Sequence, residues 1–222
     1  MKTINIAIDG PSGAGKSSIS KAVARELCFI HVDTGAMYRA IGLYALRHDC
    51  MEPDAIAGCI GEVEIELKFI AGAQRVMLCG EDVTEYIRTP EVSMAASKVS
   101  AVPAVREHLL GLQKRIAAEN NVIMDGRDIG AVILPDADLK IFLTASAEER
   151  ASRRYLELRE KPDCPTYEEI LRDIEQRDYN DMHRDIAPLR QAEDAVLVDT
   201  TSMGFNEVVE RITALVREVM NG

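Results

Sequence analysis

The sequence predicts an α/β fold built on a mostly parallel sheet, and three observations point to it. Short apolar runs alternate with amphipathic stretches of helical period along the chain. The first run, Ile4-Asn5-Ile6-Ala7-Ile8-Asp9, leads into Gly10-Pro11-Ser12-Gly13-Ala14-Gly15-Lys16-Ser17-Ser18, which has the form G-x-x-x-x-G-K-[ST] and opens a helix. A later run, Val122-Ile123-Met124, ends on the polar group Asp125-Gly126-Arg127-Asp128, where parallel α/β sheets hold their ligands.

The glycine-rich stretch, residues 10–18, is the candidate triphosphate site. Its glycines let successive N–H groups turn inward toward phosphate oxygens. The helix opening near Lys16 adds a partial positive charge. Lys16 can reach the β- and γ-phosphates as a mobile point charge, and the Ser17 hydroxyl is placed to complete the shell of a Mg²⁺ ion. A glycine-rich turn that merely ends a strand is the bland alternative. The strand before it and the stripe Ile19, Val23 and Leu27 after it favour the phosphate loop. Ser18 can be read simply as a polar neighbour suited to the helix.

A short strand, Phe29-Ile30-His31-Val32, follows, and Asp33-Thr34 then opens a helix that continues to about Leu46. The bland reading of Asp33 and Thr34 is helix capping alone. Arg39, one turn inside, faces either solvent or a second phosphate. From about Gly58 the pattern changes to alternation: residues 64–69 and 75–79 read as two strands of a small antiparallel hairpin, with Ala71-Gly72-Ala73 as its turn. Pro90 and Pro103 punctuate two further helices, the first carrying Ser97 and the second Arg106. Residues 139–143 and 195–198 supply the last strands of a five-stranded sheet, and residues 206–220 form a closing amphipathic helix.

Between those last strands lies an arginine-rich helical pair, broken at Lys161-Pro162-Asp163-Cys164-Pro165. Arg150, Arg153 and Arg154 share one side of the first helix; Arg177, Asp181 and Arg184 repeat the spacing on the second. Such arrays are usually solvated faces, with Glu149, Glu157, Glu175 and Asp178 as available partners. Arginine also suits bidentate phosphate contacts, and the phosphate loop favours that use.

A chain of 222 residues has room for one core with appendages. No run approaches a membrane span and no leader precedes the first strand, so a cytoplasmic protein is expected. The five cysteines are odd in number, scattered and without C-x-x-C, which suggests neither a disulfide framework nor a zinc site. His31, His48, His108 and His183 lack metal-ligand spacing and read as structural. A net charge of −11 excludes a nucleic-acid surface. No long exposed apolar stripe is evident, so a monomer is expected.

Taken together, Asp9 to Lys16, Asp33-Thr34-Gly35-Ala36-Met37-Tyr38-Arg39, Ile87-Arg88-Thr89-Pro90-Glu91-Val92, Asp125-Gly126-Arg127-Asp128-Ile129-Gly130, Arg177-Asp178 and Ala187-Pro188-Leu189 resemble the bacterial cytidylate kinase family nearly end to end. The resemblance implies a three-layer P-loop NTPase fold with a five-stranded parallel sheet, a small antiparallel β insert and a helical lid. It implies one domain: a core of residues 1–57, 101–149 and 189–222, a monophosphate-binding insert at 58–100 and a lid at 150–188.

The same resemblance places Thr34, Arg39 and Arg127 around the acceptor monophosphate, and Ser97, Arg106 and Asp128 around the cytosine edge. Asp125 falls beside both nucleotides, holding either a Mg²⁺-bound water or arginine partners. Arg177, Asp181 and Arg184 contact the acceptor's sugar and phosphates. The expected reaction is phosphoryl transfer from Mg·ATP to CMP or dCMP, with Lys16, Arg127 and lid arginines Arg150, Arg153 or Arg154 stabilising the developing charge. Another small-molecule P-loop kinase, of UMP or shikimate type, is the nearest rival. A GTP-dependent switch would need D-x-x-G and N-K-x-D, and neither occurs in the chain.

Overall fold

In a computed structural model of the chain, residues 3–70, 73–160 and 164–221 are described. β1 (Asn5–Asp9) passes through the glycine-rich loop into α1 (Lys16–Leu27), β2 (Ile30–Asp33) and α2 (Thr34–Arg47). α3 (Pro53–Cys59) precedes β3 (Ile65–Ile70), β4 (Ala73–Leu78) and β5 (Glu81–Asp82). α4 (Pro90–Val99) and α5 (Pro103–Glu119) return the chain to β6 (Val122–Gly126) and β7 (Leu139–Thr144). α6 (Ala147–Leu158) and α7 (Tyr167–His183) lead to β8 (Val196–Asp199) and α8 (Phe205–Asn221).

The large sheet has five strands in the order β2-β6-β1-β7-β8, all parallel. Its centre is the hydrophobic strand Ile6-Ala7-Ile8, fully buried because helices cover both faces. Side chains alternate across a strand. Ala7, Val32 and Met124 therefore meet Met37 and Ile41 of α2, whereas Ile6, Ile8 and Ile123 meet Ile19 and Val23 of α1 and Val208, Ile212 and Val216 of α8. This gives the three expected layers. α6 and α7 enclose a small cluster of their own, Ala151, Ile170 and Ile174.

The smaller sheet differs from the predicted hairpin. It has three antiparallel strands, because Glu81 and Asp82 pair with Leu78 and Met77. Two acidic residues carry no hydrophobic alternation, so nothing in the sequence marked them as a strand. The expected turn at Ala71-Gly72 lies outside the described residues, and Ala73 belongs to β4. Lys161-Pro162-Asp163 also lie outside them; α6 and α7 end and begin on either side. α6 starts at Ala147, so Arg150 lies inside its first turn rather than at its edge.

Two junctions fix this appendage to the core. The Gln74 side chain on β4 accepts from the Asp33 N–H at 2.9 Å and donates to the Asp33 carbonyl at 3.2 Å. α2 crosses α4 at Gly42, where an added Cβ would lie 2.8 Å from the Ala96 nitrogen. α4 thus rests on the helix that begins at the end of β2.

Candidate functional site

β1, β2 and β6 all end at one side of the sheet, and each ends on or beside an aspartate: Asp9, Asp33 and Asp125. Beyond them lies a cavity of about 270 Å³. The glycine-rich loop borders it through Ser12, Gly13, Gly15, Lys16, Ser17 and Ser18. Gly10, Pro11 and Ala14 lie behind that surface. Gly10 passes the Leu143 carbonyl so closely, at φ 150°, that a Cβ would stand 1.9 Å from its oxygen. Gly13 and Gly15 have φ of 75° and 85°, the left-handed region open to glycine. No side chain caps the start of α1, and its first turn holds no acid. The helix's unpaired N–H groups remain available to an anion.

Lys16 is buried, with its ammonium donating to the Pro11 carbonyl at 2.7 Å. Burial, with Arg127 nearby, pushes it down to about 7. Ser17 Oγ donates to Asp125 Oδ2 at 2.7 Å, and His31 Nε2 lies 2.6 Å from Asp125 Oδ1. Burial disfavours the Asp125 carboxylate, but the His31 and Ser17 hydrogen bonds and the Lys16 charge hold it below the ordinary range. Thr34 Oγ1 donates to the Asp125 carbonyl at 2.8 Å. His31, read from sequence as structural, belongs to this cluster; its link to Asp125 spans 94 residues, and no local pattern announces it.

On the opposite wall, Arg106 of α5 contacts the Asp128 carboxylate, and Arg184 Nη2 lies 3.6 Å from Asp128 Oδ1. Arg106 also donates to the Ser100 carbonyl at 3.2 Å and lies over the Tyr38 ring. Burial pushes the Asp128 carboxyl upward while Arg106, Arg184 and Arg127 oppose it. Tyr38 is pushed up to about 12, chiefly by burial. Ser97 of α4 lies on the same wall.

Between the two ends, Arg127 Nε donates to Asp181 Oδ2 at 2.8 Å, and Arg39 Nη2 donates to Asp33 Oδ2 at 2.9 Å. Arg177 completes this stretch of wall; burial, with Arg127 beside it, lowers its proton affinity. Arg39 Nε and Arg184 Nη2 are buried without a hydrogen-bond acceptor. Asp33, Tyr38 and Ser100 also line the cavity, although the sequence reading gave them no ligand role.

The three arginines of α6 go to three different places. Arg150 turns inward to the Ser12 carbonyl and Asp178, whereas Arg153 bonds Glu149 and Thr200. Arg154 pairs with exposed Glu157. None of the three lines the cavity.

A glycine-rich loop of the form G-x-x-x-x-G-K-[ST], facing a wall of mostly acid-paired guanidiniums across one cavity at the carboxyl ends of a parallel sheet, is the layout of a P-loop kinase. A sequence profile of the cytidylate kinase family matches residues 6–218, and the chain belongs to that family, whose members are ATP-dependent phosphotransferases. It is 54% identical over 222 residues to a cytidylate kinase from Caldicellulosiruptor saccharolyticus, covering 99% of this chain and 98% of the relative. It is 53% identical over 216 residues to one from Desulfitobacterium hafniense (strain Y51), covering 96% and 93%. The fold recurs at a TM-score of 0.51 and 11% identity, over 99% of both chains, in an uncharacterized protein from Eubacterium ventriosum ATCC 27560. No helix among the described residues is long and apolar enough to cross a membrane.

Proposed function

We propose that the chain transfers the γ-phosphoryl group of Mg·ATP to the phosphate of CMP or dCMP, giving ADP and the pyrimidine diphosphate. One observation carries this reading: a single cavity has the phosphate loop at one end and the Arg106–Asp128 pair at the other. Cytosine presents an amino donor beside ring-nitrogen and carbonyl acceptors, which suits a carboxylate and a guanidinium respectively. Uracil reverses that pattern and would leave buried groups mismatched.

In this reading residues 10–18 hold the triphosphate. Arg39, Arg127 and Arg177 take the acceptor phosphate, with Thr34 at its side. Ser97, Arg106 and Asp128 read the base, while Asp181 and Arg184 meet the sugar side. The unpaired buried N–H groups of Arg39 and Arg184 support this placement, since a bound anion or carbonyl would satisfy them. The acceptor is already anionic, so alignment and charge neutralisation, rather than a general base, supply the catalysis.

Ser17 and Asp125 are hard oxygen donors side by side and would hold a Mg²⁺ ion. When bound it neutralises phosphate charge. Lys16 supplies a second positive charge from the loop. Arg150 is held to the loop backbone and supports its shape. Arg153 and Arg154 reach the phosphates only through a lid movement that breaks their contacts with Glu149, Thr200 and Glu157. Residues 58–100 serve as the acceptor-binding insert and 150–188 as the lid. The setting is cytoplasmic pyrimidine metabolism, and the working unit a monomer.

The test is initial-rate ADP formation from Mg·ATP with CMP, dCMP, UMP, AMP, GMP and shikimate offered separately. Turnover confined largely to CMP and dCMP supports the reading; turnover centred on another acceptor overturns the base assignment.

A further inference from the structure

Asp128 is the N-cap of a π-helical turn, Ile129–Ile133, yet its side chain caps none of that turn's N–H groups. A helix start leaves its first N–H groups without intrahelical partners, and an aspartate at the cap ordinarily accepts from them. Here the acceptor comes from another strand. Asp9, the last residue of β1, receives the Ile129 N–H on Oδ1 at 2.7 Å and the Gly130 N–H on Oδ2 at 2.8 Å. Asp9 is only 5% exposed, and both oxygens are engaged. Burial raises its carboxyl to about 6, opposed by the two amides. Asp128 meanwhile keeps its carboxylate turned to Arg106 and Arg184.

We propose that Asp9 is a positioning residue for recognition of the acceptor base: by capping the π-helical turn from β1, it frees the Asp128 carboxylate to face the cavity. The proposal rests on the reading of Asp128 as a base contact. In Asp9→Asn an amide NH₂ opposes one of the two backbone N–H groups. The Asp128 side chain, at the N-cap, is then the turn's own replacement acceptor, and it would leave Arg106 and the base edge to cap the turn. Asp9 also immediately precedes Gly10 and pairs in register with Gly126, two residues before Asp128.

Steady-state kinetics with each substrate varied would compare the wild type, Asp9→Asn and Asp128→Ala. Asp9→Asn should raise KM for CMP on the order of tenfold, the scale of one charge-assisted hydrogen bond, and narrow the preference for CMP over UMP. Its KM for ATP should rise by less than its KM for CMP, because Asp9 is only a minor electrostatic neighbour of Lys16 but bonds directly to the turn beside Asp128. Equal rises in both KM values, or an unchanged CMP-to-UMP ratio, would overturn the proposal. Asp128→Ala separates the two levels. A selective CMP effect there without one in Asp9→Asn rejects only the role of Asp9; no selective effect in Asp128→Ala rejects the base site. If Asp9→Asn does not fold, amide hydrogen exchange in the wild type gives the answer. CMP should slow exchange at Ile129 and Gly130 more than ribose 5-phosphate, which lacks the base; equal slowing overturns the proposal.

Discussion

Arg150 and Asp178 meet in a two-pronged contact, Nη1 to Oδ1 at 3.1 Å and Nη2 to Oδ2 at 2.6 Å, while the same Nη1 donates to the Ser12 carbonyl at 2.9 Å. The guanidinium therefore ties the phosphate loop to α7, the helix that carries Arg177 and Asp181 and ends just before Arg184. Its Nε donates to the Ala145 carbonyl as well, so the fork is filled by the protein. Arg150→Met should leave a partly buried carboxylate and a loop carbonyl without donors, costing roughly 1–3 kcal/mol. Denaturant unfolding would measure it. Arg154→Ala, at an exposed pair, should change stability by less than about 0.5 kcal/mol.

Lys16 gives a proton signature. The unfolded chain holds this proton up to the ordinary lysine value of 10.5, whereas the folded chain releases it near 7. Stability of the ligand-free protein should therefore rise with pH between those two values, contributed by this group. A bound triphosphate raises the lysine's proton affinity again. ATP binding at pH 8 should take up a proton, measurable by calorimetry in buffers of different ionisation enthalpy. Lys16→Ala should abolish that uptake and cut turnover on the order of a thousandfold while leaving the fold intact.

His31 closes one side of the Asp125 carboxylate and Ser17 the other. His31→Phe would leave Asp125 Oδ1, buried, without its donor, destabilising the protein by about 1–3 kcal/mol. It should also raise the Mg²⁺ concentration needed for half-maximal rate, because Asp125 loses its fixed orientation. His31→Gln, which retains a donor, should recover part of both losses. Thermal melts and magnesium titrations read the two effects separately.

Gly42→Ala tests the α2–α4 crossing. A methyl there would meet backbone and side-chain atoms of Ala95 and Ala96 at 2.8 to 3.1 Å. Overpacking of this kind costs about 1–3 kcal/mol. Ser97 lies one residue beyond Ala96, so KM for CMP should rise while KM for ATP holds.

The sequence was most informative where chemistry is contiguous. Residues 10–18 form one unbroken motif, and β1 and β6 are apolar runs with no rival reading. Ser97 of α4, Arg106 of α5, and Arg177 and Asp181 one turn apart on α7 reach the cavity as well, whereas Arg184, expected on that same helix, follows it in extended backbone. It said least where a partner is remote. Arg150 stands out as an arginine, but Ser12 lies 138 positions away, and Asp9 meets Ile129 across 120. Shared helical spacing also could not separate Arg150, buried against the loop, from Arg154, whose side chain is 53% exposed. β5 escaped notice because a two-residue strand has no period to detect.

Three of the five arginines lining the cavity come with close resident counter-ions: Arg39 with Asp33, Arg106 with Asp128 and Arg127 with Asp181. An arriving anion must displace or share with an aspartate rather than simply shed water. Free inorganic phosphate offers charge alone and gains little from that exchange. A nucleotide adds a base edge and sugar hydroxyls, which compensate through contacts a bare ion cannot make. On the proposed reading, the aspartates interleaved with these arginines would act as a sieve, keeping small anions from filling the pocket of a chain of net charge −11.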